Sequence, residues 1–168
     1  RTFVHDPLMH GPFQFFGTSA LYQVFGDSDA IARVLPALFG TVLVGLPFFL
    51  RSRLGKAGAL ATALILAFSP TMLYFSRFAR NDIYMAVWTL AMVALLWHYM
   101  GSRKSRYLIL AAIVLAFAYS TKETTYILVA VLGSYLVLYA ARDLLLWVIG
   151  RRRLRGFSPA GDFLVLIG

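Results

Sequence analysis

Apolar runs of roughly twenty residues recur along this chain, parted by short polar breaks, and about 20 such residues are what an α-helix needs to cross a bilayer. Residues 31–50 form the first run, and Arg51, Arg53 and Lys56 follow it. Residues 57–75 form the second, interrupted by Ser69-Pro70; a proline there kinks a helix, and packed neighbours satisfy the freed carbonyl. Residues 83–100 form the third, and 107–120 a short fourth that extends into neighbouring polar residues. Residues 124–141 form the fifth, and a sixth begins near Asp162. The stretch "DLLLWVIG", 143–150, is too short to span; it either extends the fifth helix or lies on the membrane surface. The expected fold is an all-α polytopic transmembrane helical bundle over 31–168, with five spans and the start of a sixth. Residues 1–30 precede it as an extracytoplasmic loop with a juxtamembrane helix, "FQFFGTSALYQVFG", aromatic, too short to cross, and suited either to the interface or to ordinary helix packing.

Composition agrees. The chain has 168 residues, 60% of them apolar, and a mean hydropathy of +0.75, above the usual soluble range. Sixteen Lys and Arg against seven Asp and Glu give a net charge of +9. Such an excess suits nucleic acid, but here the bases gather in the breaks between apolar runs, as in cytoplasmic loops of membrane proteins. No nucleic-acid partner is therefore expected. Cysteine is absent, which removes disulfides, thiol nucleophiles and thiolate metal sites. The chain opens at Arg1 without a start methionine or signal peptide and stops a few residues into "FLVLIG", so it reads as a piece of a larger protein.

Charge placement orients the bundle. Eleven bases (Arg51, Arg53, Lys56, Arg103, Lys104, Arg106, Arg142, Arg151, Arg152, Arg153 and Arg155) fall in one set of loops. Five (Arg1, Arg33, Arg77, Arg80 and Lys122) fall in the other. The first set is cytoplasmic by the positive-inside rule. Asp6, Asp27, Asp29, Asp82 and Glu123 join the five outer bases, so the outer loops carry mixed-charge clusters rather than topology signals alone.

Three outer clusters carry the chemistry. "HDPLMHGP" is a stiff, turn-rich loop that can hold Asp6 and His10 in fixed directions for proton handling; its plain reading is a structural loop, and its spacing matches no recognised zinc pattern. "FSRFARND" places Arg77 and Arg80 three apart, on one face if the helix continues. Arginine's planar fork suits a phosphate; the plain reading is snorkelling plus an Arg80–Asp82 pair. "STKETT" sets Lys122 and Glu123 between two spans. Either Lys122 overlooks the same outer cavity, or the segment is a connection with Thr124 or Thr125 capping the next helix. Arg33 reads as a partner of Asp27 or Asp29 at the mouth of the first span, and His98 as an interfacial anchor. The "RRRLR" run sets topology and touches anionic lipid.

Taken together, "HDPLMHGPFQFFGTSALYQVFGDSDAIARVLPALFGTVLVG" resembles the first outer loop and following span of GT-C membrane glycosyltransferases of the protein O-mannosyltransferase and aminoarabinose-transferase type. His10-Gly11-Pro12 stands for a His-Pro-Pro-like element, and Phe25-Gly26-Asp27-Ser28 to Arg33 for the stretch that follows. With "FSRFARND" and "STKETTY", the chain is most similar to a prokaryotic branch described as flippase-activity-associated membrane proteins.

The resemblance implies an integral protein of the cytoplasmic membrane. It would move a sugar from a polyprenyl-phosphate donor to a protein, lipid or glycan acceptor on the extracytoplasmic face. No cofactor is expected, and no residue here is assigned as a metal ligand. It implies donor-phosphate contacts at Arg77, Arg80 and Lys122, supporting roles for Asp6 and His10, and a catalytic acid upstream of Arg1. Arg33, Asp82 and Glu123 are expected to support the site. A flippase or transporter subunit handling lipid-linked sugars is the alternative, since the same arginines would serve it.

Overall fold

The computed structural model describes residues 11–148, with side chains as far as Arg142. Among the described residues all regular structure is helical and there is no strand. An α-helix satisfies its own backbone hydrogen bonds, the condition for crossing hydrocarbon.

The helix expected before the first span is α1 (Phe13–Phe25), which ends at Gly26 with φ +86°. The short α2 (Asp29–Ala32) follows, capped by Ser28, whose hydroxyl accepts the Ile31 N–H at 3.4 Å. The first span, expected as one helix over 31–50, is instead broken twice. The chain restarts after Arg33 as α3 (Val34–Gly45), because the Pro36 ring cannot sit over the carbonyl four residues back in an unbroken helix. It then tightens into a 3-10 segment, Leu46–Leu50, at Pro47.

Gly55, at φ +72° and ψ 169°, interrupts α4 (Arg51–Phe68). A side chain would be strained there. Ser69 is extended, so the kink expected at Ser69-Pro70 is a full break. Pro70 opens α5 (Pro70–Arg77), as the restriction on pre-proline residues and the preference of proline for the first helical turn require. The reversal at Gly55 lays α5 against α3. A Cβ on Gly40 would stand 2.6 Å from the Ser76 Cβ, whereas Gly45 faces open space. Of the two small residues in the first span, only Gly40 serves a close helix contact.

The bundle is organised around α6 (Asp82–Ser102), whose 21 residues reach about 32 Å, enough for the hydrocarbon core. It is buried on several faces. Ile83, Tyr84 and Val87 pack with Leu43 of α3. Met92, Leu96 and Tyr99 pack with Ala111 and Leu115 of α7 (Ser105–Tyr119) and with Leu136 of α8 (Thr125–Val148). The stretch "DLLLWVIG" extends α8 as far as Val148. On α8, Tyr126, Ile127, Val131 and Leu138 are each at least 60% exposed, an outward apolar face suited to lipid.

Asp29–Phe68, Asp82–Ser102 and Thr125–Arg142 are long and apolar enough to cross a membrane, and α7 is a shorter apolar helix. The first of these stretches contains the reversal at Gly55. Arg53 lies beside Gly101, with its Nη2 3.5 Å from where a Cβ would be. The loop after the first span thus meets the turn holding Arg103, Lys104 and Arg106. Arg80, Asp82 and Lys122 lie at the opposite end of α6. The expected sixth span, the "RRRLR" run and Arg1 to His10 fall outside the described residues.

Phe13 locks α1 onto this frame. Its ring meets Phe39 of α3, Tyr84 and Trp88 of α6 and Phe117 of α7, edge-on, at centroid distances of 5.3 to 5.7 Å. Phe13 is partly buried, so Phe13→Ala should cost about 2–3 kcal/mol, at or below the low end for a fully buried phenylalanine. Thermal unfolding of the detergent-solubilised protein should show a clear loss, while Phe16→Ala, at a ring 73% exposed, should change little.

Candidate functional site

Two loops and the start of α1 meet at the Asp82 end of α6. The Lys122 ammonium donates to Asp82 Oδ1 at 2.7 Å, and the Arg80 Nε forms an ion pair with Asp82 Oδ2 at 3.2 Å. Asp82 stands in the first turn of α6, where a carboxylate also meets the positive end of the helix dipole. These pairs are partly exposed and contribute at most about 1 kcal/mol each to stability. Their consequence is electrostatic and geometric. Two cations share one anion, leaving a unit of positive charge, and Asp82 fixes where it sits. Arg80 pairs through Nε, its guanidinium carbon lies 5.8 Å from the centre of the Phe75 ring, and its side chain is 59% exposed, so the Nη edge is not used by this ion pair. That edge matches a phosphate.

The loop after α7 is held from beneath. Trp88 Nε1 donates to Thr121 Oγ1 at 3.1 Å, and Thr121 donates to the Phe117 carbonyl at 2.6 Å. Thr125 was expected to cap α8 if Thr124 did not. Its buried hydroxyl instead lies within hydrogen-bond distance of the Ala118 and Lys122 carbonyls, at 2.7 and 2.8 Å. It ties the loop back to α7 rather than accepting α8 amides.

The N-terminal arm clamps both loops. Gly11 N–H donates to the Thr121 carbonyl at 3.2 Å and Phe13 N–H to the Ser120 carbonyl at 3.0 Å. The Gln14 side chain donates to the Ala79 carbonyl at 2.6 Å. Asp6 and His10 lie outside the described residues. Gly11, next after His10, is docked one residue short of Lys122.

The remaining expected residues are placed differently. Arg77 and Arg80 do not share a helix face, because α5 ends at Arg77 and Phe78 is extended. Arg77 lines a separate cavity of about 350 Å³ between α3, α4 and α5. Arg33 is exposed and makes no ion pair with Asp27 or Asp29; the Ser28 cap fixes the helix start there. Glu123 is exposed, with no ion pair among the described residues. His98 bonds the Phe49 carbonyl through Nε2 at 2.8 Å and stacks on Tyr107.

Several site residues had no signal of their own in the sequence. Phe13, Gln14, Trp88 and Thr121 read as ordinary span or loop residues, and only tertiary contact reveals them. Asn81 and Tyr84 are buried beside Asp82, and the Asn81 Oδ1 and Tyr84 hydroxyl have no protein partner among the described residues. Thr18 Oγ1 is a third such atom, and since buried polar atoms are nearly always bonded, each calls for a polar partner such as water.

Gly11 is the tightest point of the arm: a Cβ would overlap the Ser120 carbonyl and stand 2.9 Å from the Thr121 nitrogen. Gly11→Ala should push the arm off the loop at a cost of about 1–3 kcal/mol. Limited proteolysis near residue 11 should quicken while membrane insertion stays intact. An unchanged cleavage rate would mean the arm does not depend on this contact.

Residues 9–153 match the model of the dolichyl-phosphate-mannose-protein mannosyltransferase family, a match that takes in α1 to α8 and every loop of the site. No curated protein and no solved structure matches the chain. The matched span covers most of the chain, and together with the apolar helices it makes this an integral membrane protein. The chain belongs to the dolichyl-phosphate-mannose-protein mannosyltransferase family, of the GT-C glycosyltransferase type.

Proposed function

We propose that this protein transfers a sugar from a polyprenyl-phosphate donor to an acceptor hydroxyl at the Asp82 end of the bundle, on the extracytoplasmic face of the cytoplasmic membrane. The observation that carries the reading is the pairing of Arg80 and Lys122 on one carboxylate, beside the docked arm that leads back to His10 and Asp6. In the reaction the acceptor oxygen bonds to the sugar's anomeric carbon, and the bond from that carbon to the phosphate oxygen breaks. The leaving phosphate keeps the electron pair, and the acceptor proton passes to a base.

Positive charge fixed where the phosphate's charge develops lowers the barrier. Arg80 and Lys122 supply it, with Asp82 as their positioning residue. Asp6 and His10 orient the acceptor hydroxyl or relay its proton. Membership of a transferase family favours bond-making over lipid transport, and the cation pair serves the transfer step directly.

Arg80→Ala in the full-length enzyme, assayed in membranes with radiolabelled polyprenyl-phosphate mannose, should lower kcat/KM about tenfold or more, the worth of a charge-assisted hydrogen bond. Arg77→Ala, in the neighbouring cavity, should have a smaller effect. Equal turnover by wild type and Arg80→Ala would remove the guanidinium from the donor site.

Sidedness has its own check. These 168 residues contain no cysteine, so Lys104→Cys, with any cysteine elsewhere in the full-length protein replaced, gives a single label site at the basic end. It should react with a membrane-impermeant maleimide only after the membrane is opened. Labelling of intact cells would reverse the orientation.

A further inference from the structure

At the basic end of the bundle lies a second cleft, of about 650 Å³, between the 3-10 segment, α6 and α7. Its volume is that of a small-molecule pocket, roughly 300–1,000 Å³. Its walls are apolar: Leu46, Ala91, Ala94, Leu95, Leu110 and Val114. Two arginines from different elements, Arg51 and Arg106, stand on the same cleft. Neither has a carboxylate partner among the described residues; aromatic groups hold them instead. Arg51 lies over the Phe48 ring at 4.1 Å. Arg106 donates to the Tyr107 hydroxyl at 3.0 Å and lies 4.9 Å from the centre of that ring. Tyr107 is in turn stacked on His98, at 5.4 Å between ring centres. The cleft opens outward past Phe48 and Phe49, which are 60% and 61% exposed, on the side where a membrane protein meets lipid.

We infer that this cleft binds an anionic phospholipid of the leaflet at the basic end. One acyl chain lies along the apolar wall, and the phosphate sits between Arg51 and Arg106. The charge is the argument for the occupant. An uncharged lipid would leave two guanidiniums without an anion, and a zwitterionic one brings an ammonium that offsets its phosphate and adds a third cation beside them; a net-anionic phospholipid meets both arginines, and its tail fills an apolar trough no helix covers among the described residues. Basic pockets between transmembrane helices bind acidic headgroups on this physical basis. The site is at the opposite end of α6 from Arg80 and Lys122, so it is a structural lipid site and independent of the donor.

The test is native mass spectrometry of the full-length protein in mild detergent, offered equal amounts of phosphatidylglycerol, phosphatidylcholine and undecaprenyl phosphate. Phosphatidylglycerol should be retained over phosphatidylcholine about fivefold or more, the preference expected of roughly one favourable charge contact. The R51Q/R106Q protein should lose that preference, while the charge-matched K56Q/K104Q protein should keep it. Ala91→Trp, which fills the trough, should lose phosphatidylglycerol with both arginines in place. If that variant misfolds, the arginine pair alone decides. No preference in the wild type, an equal fall in both double variants, unchanged retention by R51Q/R106Q, or a loss of undecaprenyl phosphate rather than phosphatidylglycerol in R51Q/R106Q would each overturn the assignment.

Discussion

The Phe13 ring is the contact on which the outer end depends. It sits edge-on to four aromatic rings from three helices, and such pairs contribute about 0.5–1.5 kcal/mol each beyond their buried area. With Phe13 seated, the backbone of the arm reaches Ser120 and Thr121, and Gln14 reaches Ala79. The loops after α5 and α7 are far apart in sequence, and the arm sets them side by side. The Lys122–Asp82–Arg80 arrangement follows from that juxtaposition. In hydrocarbon, where burial of apolar groups gives little net drive between helices, close packing and hydrogen bonds of this kind must do the holding.

The two ends of α6 solve opposite electrostatic problems. At the Asp82 end, Arg80 and Lys122 are tethered by one carboxylate, which fixes a residual positive charge in space. At the other end, Arg51 and Arg106 rest on aromatic faces. Arginine tolerates such a setting because its guanidinium is weakly hydrated and stacks well. On the proposed readings a phosphate binds at each end, and at the first it lies beside the docked segment that begins at Gly11.

Much of the bundle was legible in advance because span length and apolarity are one-dimensional properties. The helix around 83–100 was read within a few residues and the start of the one at 124 within one, and the Arg80–Asp82 pair was the plain alternative for that stretch. Other features were not. Pro36 and Pro47 broke a run that looked continuous by hydropathy, because hydropathy is blind to a missing N–H. The face shared by Arg77 and Arg80 failed at Phe78, where the backbone extends. The Arg33 pair did not form, since the Ser28 hydroxyl caps the helix start without it. Trp88 with Thr121, and the orphaned polar atoms of Asn81 and Tyr84, exist only as tertiary facts, and no local pattern marks them.

The most direct measurement is a cryo-EM structure of the full-length protein with a bound polyprenyl phosphate. The phosphate density should lie within hydrogen-bond reach, about 3 Å, of both Arg80 and Lys122, with Asp82 still bridging them and Gly11 still against Ser120. Phosphate density in the Arg77 cavity or at the basic end, with the Arg80–Asp82–Lys122 cluster empty, would contradict the assignment of that cluster as the donor site.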